Sequence, residues 1–486
     1  MSTETQATPE DKKTSRSALL AMGSRAFGLA CSVLSVSLLV RAIGVGGYGR
    51  FAAVSALLTL VAAAFELGAS TVISRDLPLE ADGGSHLMAV VWRLRAASTG
   101  LLLGLGGLLS AVVFFSGQCS MAGNLAVLAL CVPLVLVGGT ASTIGFAKGL
   151  GWKVATVEIV GKLAWVLFAG GVYLLGGSWQ LVVIVSAVIG AMPLFFRRWL
   201  GSRSRGSVSA RDLRALVRRS APLSLFPLIF LSFNRADVLG LSLGASASVV
   251  GRYSTCYRAA DAVMTIVSGG VAVLTPMLSA PEGRAGRYLR SRGRLLLLVS
   301  WAVAASTAAS PIWLRLLAGS QIGSLRQAVL TVGLLGLGVI CYAALQVDLV
   351  TLVAARKHWT MVATVGLAAL VEGLGAYLLG GRGIVAVAGV VLGVELAAVL
   401  VSAWLCARSG APGARLLGGG WMGAAASALA AGLVLASGAT MRWSLTICAL
   451  VGVLALCTSS VRAELREALG HADVLARRLK TGRSGS

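Results

Sequence analysis

Charged side chains make up only 12% of this chain. A water-soluble domain carries about a quarter, so the surface available for solvation is half of what is needed, and a soluble globular protein is excluded. Acidic residues are the scarcer sign, 18 Asp and Glu against 42 Lys and Arg, which leaves a net charge of +24. Histidine occurs three times, at His86, His358 and His471, in segments remote from one another, so neither a metal cluster nor a Ser-His-Asp arrangement is indicated. The glycine-rich turns lack a P-loop signature, and direct ATP hydrolysis is not expected. The eight cysteines form no CxxC pair, and all but Cys119 fall in or at the edge of apolar runs, where they read as small apolar side chains.

What the chain has in abundance is apolar sequence: 57% of its 486 residues, with 61 glycines besides. At about 20 apolar residues per membrane-crossing helix this supplies roughly 14 spans. Apolar runs bounded by charge, Pro or Gly clusters predict helices at 18 to 40, 51 to 73, 96 to 116, 123 to 147, 156 to 176 and 179 to 196. A second group follows at 221 to 244, 253 to 278, 295 to 314, 327 to 353, 359 to 380, 384 to 405, 419 to 437 and 443 to 461. The polar start, with Lys12, Lys13 and Arg16, precedes a run too long for a signal-peptide core and is read as leading into a retained first helix.

The basic residues test this count. With the N-terminus inside, 31 of the 42 fall in cytoplasmic segments, 7 in external loops and 4 within helices, the asymmetry of a protein with both termini cytoplasmic. The excess of positive charge therefore faces anionic lipid, and nucleic-acid binding is not needed to explain it. The connection from Arg197 to Ser220 is the longest and most basic, and marks the boundary between two lobes. The chain then divides into a cytoplasmic start at 1–17, an N-lobe at 18–196, the linker at 197–220, a C-lobe at 221–405, two further helices at 419–461 and a cytoplasmic tail at 462–486. Part of that tail, from Val461 to Lys480, suits an amphipathic helix on the inner leaflet.

A repeat crosses the lobe boundary. Gly44 to Phe51 reads GVGGYGRF and Gly244 to Tyr253 reads GASASVVGRY, each a glycine-rich external turn ending in Gly, Arg and an aromatic, offset by 202 residues. Parallel halves related by an axis along the membrane normal are the expected consequence.

At these residues a family resemblance enters. Gly23 to Leu29 (GSRAFGL), Gly46 to Phe51 (GGYGRF) and Glu66 to Leu77 (ELGASTVISRDL) resemble the first two helices of the polysaccharide-biosynthesis, Wzx-like oligosaccharide flippases. These belong to the multidrug, oligosaccharidyl-lipid and polysaccharide exporter superfamily. Phe233 to Ala280, which includes the Gly251, Arg252, Tyr253 turn and Pro276, is similar to that family's seventh and eighth helices. The resemblance implies an all-α polytopic protein of the cell membrane with two six-helix lobes around a central cavity. It also implies transport of a polyprenyl-diphosphate-linked oligosaccharide to the external leaflet by alternating access. Membrane lipids and glycan-assembly proteins are the further candidate partners, and no cofactor is implied.

Ionisable groups within the spans are the candidate site, because each charge costs around 2.5 to 3.5 kcal/mol at a helix centre on insertion scales. Arg25 lies roughly 11 Å in from the cytoplasmic end of helix one, with Glu66 on helix two as a neutralising neighbour. In the family picture helix one lines the cavity, and its guanidinium can hold a diphosphate bidentately. Arg235 and Asp237 on helix seven, and Arg258 and Asp261 on helix eight, fall at one level, either as a mutual ion-pair cluster or with Arg235 or Arg258 contacting an anion. Glu158 and Lys162 read as an i, i+4 pair, and Asp348 as a solvated group at the inner interface. Glu372 and Glu395 fall near mid-membrane on helices eleven and twelve, where a carboxylate is either protonated or cation-bound. With Asp237 they match the helices that hold cation sites in the superfamily, so coupling to Na+ or H+ is one reading, and protonated acids that serve only packing, with flux as the drive, are the other. Two other functions stay open: a drug or metabolite cation antiporter of the same superfamily, and a polytopic glycan polymerase or ligase, against which the short external loops argue.

Overall fold

The computed structural model describes residues 9–80, 84–200, 207–279, 284–354 and 357–408, and every regular element among them is a helix. In chain order these are α1 (Pro9–Glu66), α2 (Ala69–Asp76), α3 (Ser85–Phe115), α4 (Cys119–Ala147), α5 (Gly151–Leu175), α6 (Trp179–Gly190), α7 (Met192–Phe195) and α8 (Ala210–Phe233). They continue with α9 (Ala236–Gly244), α10 (Ala247–Ser279), α11 (Arg284–Ala308), α12 (Ser310–Ala318), α13 (Leu325–Ala354), α14 (His358–Leu379) and α15 (Ile384–Arg408). Each of the twelve spans expected between 18 and 405 falls on one of these helices or on a consecutive pair. Among the described residues seven helices are long and apolar enough to cross a membrane. The pair Leu295–Ala308 and Ser310–Ile322, bent by 62°, makes an eighth if it crosses as one. Helices satisfy their own backbone polar groups, which is why apolar sequence of this length takes no other form in lipid. The two helices and the tail expected after residue 418 lie outside the described residues.

Contacts divide the chain into two compact units. Among the described residues the larger holds 16–254 with 365–381, and the smaller holds 255–364 with 9–15 and 382–408.

Within the larger unit the breaks between helices are shorter than the sequence suggested. The expected turn from Gly44 to Phe51 is a break at Gly44 alone, and Gly46 to Phe51 continue the helix. Gly44 has φ 73° and ψ 163°, a conformation essentially confined to glycine, so one residue suffices to redirect the chain. The second break, at Ala245 and Ser246, falls 202 residues later, at the offset of the sequence repeat.

The two repeat motifs meet each other. A Cβ on Gly49 would collide with the carbonyl oxygen of Ala247, and one on Gly251 with the carbonyl oxygen of Val45. Adding 202 to Val45 and Gly49 gives Ala247 and Gly251, so the contact is reciprocal, the signature of a local two-fold axis. The bare Cα of each glycine lets the backbones approach closely enough for Cα–H to carbonyl contact. Tyr48 and Tyr253 are fully buried beside this crossing.

Three further departures from the expected spans follow from residues that redirect the backbone or cap its ends. Helix two is interrupted at Leu67 and Gly68, with φ of 52° and 68°. Helix seven starts inside the basic linker, at Ala210, because Ser209 and Asp212 form a reciprocal capping box. It then breaks at Asn234 and Arg235 before resuming as α9.

Candidate functional site

Asp237 lies in the first turn of α9, where the positive end of the helix dipole favours a carboxylate. It is completely buried, and its oxygens accept hydrogen bonds from the Val238 amide at 2.7 Å and the Tyr253 hydroxyl at 2.6 Å. Tyr253 is the aromatic that ends the second repeat motif, so the repeat that builds the crossing also supplies this donor. Helix α9 packs against α14 through glycines: Gly240 faces the Gly373 carbonyl and Gly244 the Tyr377 carbonyl, with no room for a Cβ at either. Ala236 lies against Gly373 in the same seam. Asp237 and Glu372 are the chain neighbours of Ala236 and Gly373, so the seam brings these two acids to the same level of adjoining helices. Glu372 is itself buried. Arg235 is half-buried at the break in helix seven.

Glu395 belongs to the smaller unit. It is buried on α15 and rests on α13, where a Cβ on Gly338 would come within 3.3 Å of its carboxylate. Further along the same pair of helices Asp348 is fully buried, and Ser402 donates its hydroxyl to it at 2.8 Å. The expectation of a solvated Asp348 is therefore corrected. The group is enclosed because α15 covers this part of α13, with Cys406 donating to the Asp348 carbonyl at 3.5 Å. Arg258 pairs with Asp261 on its own helix at 3.1 Å, both groups a little under a third exposed.

The basic groups divide differently from their sequence grouping. The Arg25 side chain lies outside the described residues. Glu66, its expected neighbour, accepts the Ser70 amide at 3.2 Å and so caps the start of α2. Lys162 lies along α1 at Gly28, and both it and Glu158 are exposed. Arg95, grouped by sequence with the cytoplasmic-loop arginines, is instead buried to 1% exposure within α3. Its guanidinium donates to the carbonyls of Phe65 and Glu66 at 3.2 and 3.1 Å, and its Nε donates to Thr140 at 2.7 Å. Those carbonyls are the ones a helix end leaves unsatisfied, so Arg95 closes one side of the break in helix two while Glu66 closes the other.

Among the described residues no three His, Cys, Asp or Glu side chains gather as metal ligands. A cation between α9 and α14 would draw on the carboxylates of Asp237 and Glu372 together with neutral oxygens, a donor set suited to a hard monovalent ion or a proton.

These elements define a class: a multi-pass membrane protein with broken helices and buried carboxylates. The chain is structurally similar to the lipid II flippase MurJ in an inward closed conformation, with a TM-score of 0.62 and 11% identity over 93% of this chain and 99% of that one. It is also similar to a MOP superfamily transporter from Pyrococcus furiosus, at a TM-score of 0.53 and 17% identity, covering 83% of this chain and 96% of the other. A MATE protein in a bent conformation gives a TM-score of 0.53 and 17% identity, over 80% and 94% of the two chains. No family model and no curated protein matches the chain by sequence. The chain shares its fold with these three proteins.

Proposed function

We propose that this protein is a flippase that carries a polyprenyl-diphosphate-linked oligosaccharide from the cytoplasmic to the external leaflet of the cell membrane. The observation that carries this reading is structural similarity along nearly the whole length of both chains to a protein described as a lipid II flippase. The mechanism is alternating access between lobes 18–196 and 221–405, with both termini cytoplasmic. Arg25 engages the diphosphate on the cytoplasmic side and Arg235 or Arg258 receives it on the external side. Guanidinium groups suit this task because they stay protonated and present a planar fork to phosphate oxygens.

Asp237, Glu372 and Glu395 form the coupling machinery for Na+ or H+. Buried carboxylates within apolar helices exchange a proton or cation rather than stay permanently charged. A cation antiporter for small molecules is the second reading, favoured by the same buried acids. Uptake of labelled lipid-linked oligosaccharide into inside-out vesicles under imposed sodium or proton gradients tests the scheme. The parent is expected to respond to one of the two gradients, and Glu372→Gln and Glu395→Gln to lose that response, because Gln keeps the shape but cannot ionise. Unchanged gradient dependence in both variants would remove these acids from the mechanism. Gradient-driven movement of a small organic cation without oligosaccharide uptake would favour the antiporter.

A further inference from the structure

The basic end of the larger unit carries a feature that transport does not use. Segment 195 to 200 reads Phe-Phe-Arg-Arg-Trp-Leu and runs across the ends of α4 and α5. Leu200 is fully buried against Gly145 of α4, and this anchor leaves Phe195, 72% exposed, and Trp199, 38% exposed, on the outside with Arg197 and Arg198. Lys153 fixes the segment: its Nζ donates to the Trp199 carbonyl at 3.0 Å and lies 5.2 Å over the Trp199 ring and 5.6 Å over that of Trp152. Next along α4, Ile144 joins a core cluster with Leu216 of α8, against which Leu213 and Val217 also pack. That inward face of α8 turns Arg211, Arg214 and Arg218 outward, spaced three and four residues apart along one stripe.

Two acids of this end, Asp76 and Asp212, are already engaged. Asp76 pairs with Arg75 at 2.7 Å and with Arg219 at 2.9 Å. The Arg75 hydrogen bond holds its carboxyl below the usual carboxylate range. Asp212 is likewise held down by the Ser209 amide and hydroxyl, with His86 at 3.9 Å. Helices α2, α3, α4, α7 and α8 contain no other Asp or Glu; α5 adds Glu158, which has an interaction of its own, and Glu80 stands in the connection that follows α2. Among the described residues Arg197, Arg198, Arg214 and Arg218 form no ion pair, and their charge is directed at whatever lies beyond the protein.

We propose that this surface is a binding site for anionic phospholipid headgroups, in which Arg197, Arg198, Arg214 and Arg218 hold the phosphates while Phe195 and Trp199 sit at the headgroup level. Aromatic rings interleaved with arginine at the end of apolar helices match the membrane interface, where amphipathic rings and basic groups concentrate. An acidic protein would satisfy the arginines but leave the exposed rings without an apolar neighbour. The site fastens the linker between the lobes to the inner leaflet, and it stands whether or not the cargo is a glycan.

The test is native mass spectrometry of the detergent-purified full chain mixed with equal amounts of phosphatidylglycerol and phosphatidylcholine of matched acyl chains. The parent is expected to retain phosphatidylglycerol preferentially. Arg197→Gln with Arg198→Gln, and separately Arg214→Gln with Arg218→Gln, should each lower the bound ratio by at least roughly fivefold, the effect of one basic group near an anionic surface. Lysine at the same positions should keep the preference. An unchanged ratio in both glutamine pairs overturns the proposal, as does an equal fall in a control carrying Arg315→Gln, Arg326→Gln and Arg382→Gln.

Discussion

Replacing Arg25 by alanine is expected to lower translocation by at least about thirtyfold, the size of losing one buried charge-assisted contact of 2 kcal/mol or more, while the protein accumulates normally. The residue stands three positions before Gly28 in α1, where Lys162 of α5 runs along the helix. A guanidinium within an apolar stretch is costly in a membrane and suits a diphosphate that arrives with the substrate. Lysine at position 25 keeps the charge but loses the fork, so it should retain partial activity. The competing account is a static pair with Glu66, yet that carboxylate already caps α2 through the Ser70 amide. Normal transport by Arg25→Ala, or its failure to accumulate in the membrane, would favour the static role. Transport assayed beside membrane abundance separates the two.

The second large effect concerns the reciprocal crossing. Gly49→Ala and Gly251→Ala are each expected to destabilise the protein by about 1–3 kcal/mol, the usual cost of overpacking a tight contact. In each case the obstacle is a backbone carbonyl, of Ala247 or Val45, which cannot swing aside as a side chain would. The helices must part to admit one methyl group, and once parted they admit the second at less cost. The double variant should therefore lose less than the sum of the single losses, the non-additivity that neighbouring sites show. Thermal unfolding of the four proteins measures this. Unshifted melting in either single variant, or strict additivity in the double, would contradict the close two-fold contact.

Much of the fold was legible because its main determinant is local: apolar runs of membrane-crossing length bounded by charge. The offset of 202 between the glycine motifs also pointed to a real relation, since Gly49 and Gly251 meet at it. Breaks inside apolar runs were not legible, because Asn234 and Arg235 interrupt helix seven with no cluster of Gly or Pro to announce it. Burial of charged groups escaped for another reason. Arg95 stands two residues from the exposed Arg93 and looks like its companion, but its partners are the helix-end carbonyls of Phe65 and Glu66, some 30 residues away. Asp348 sits near a helix end and looks solvated, yet Ser402, 54 residues on, encloses it. Such pairings come from tertiary contact and leave no local pattern. Among the site candidates, the level shared by Asp237 and Glu372 depends on the α9 and α14 glycine seam, which needed the packed structure to be seen.

The central claim is that the protein moves a lipid-linked glycan across the bilayer, and reconstitution of the purified chain into liposomes tests it most directly. A polyprenyl-diphosphate oligosaccharide, labelled on the glycan and loaded into one leaflet, should become accessible to an impermeant glycan-modifying reagent on the opposite side. That transfer should depend on the protein and be lost with Arg25→Ala. Transfer no faster than in protein-free liposomes, from protein shown to be folded and inserted, would contradict the account.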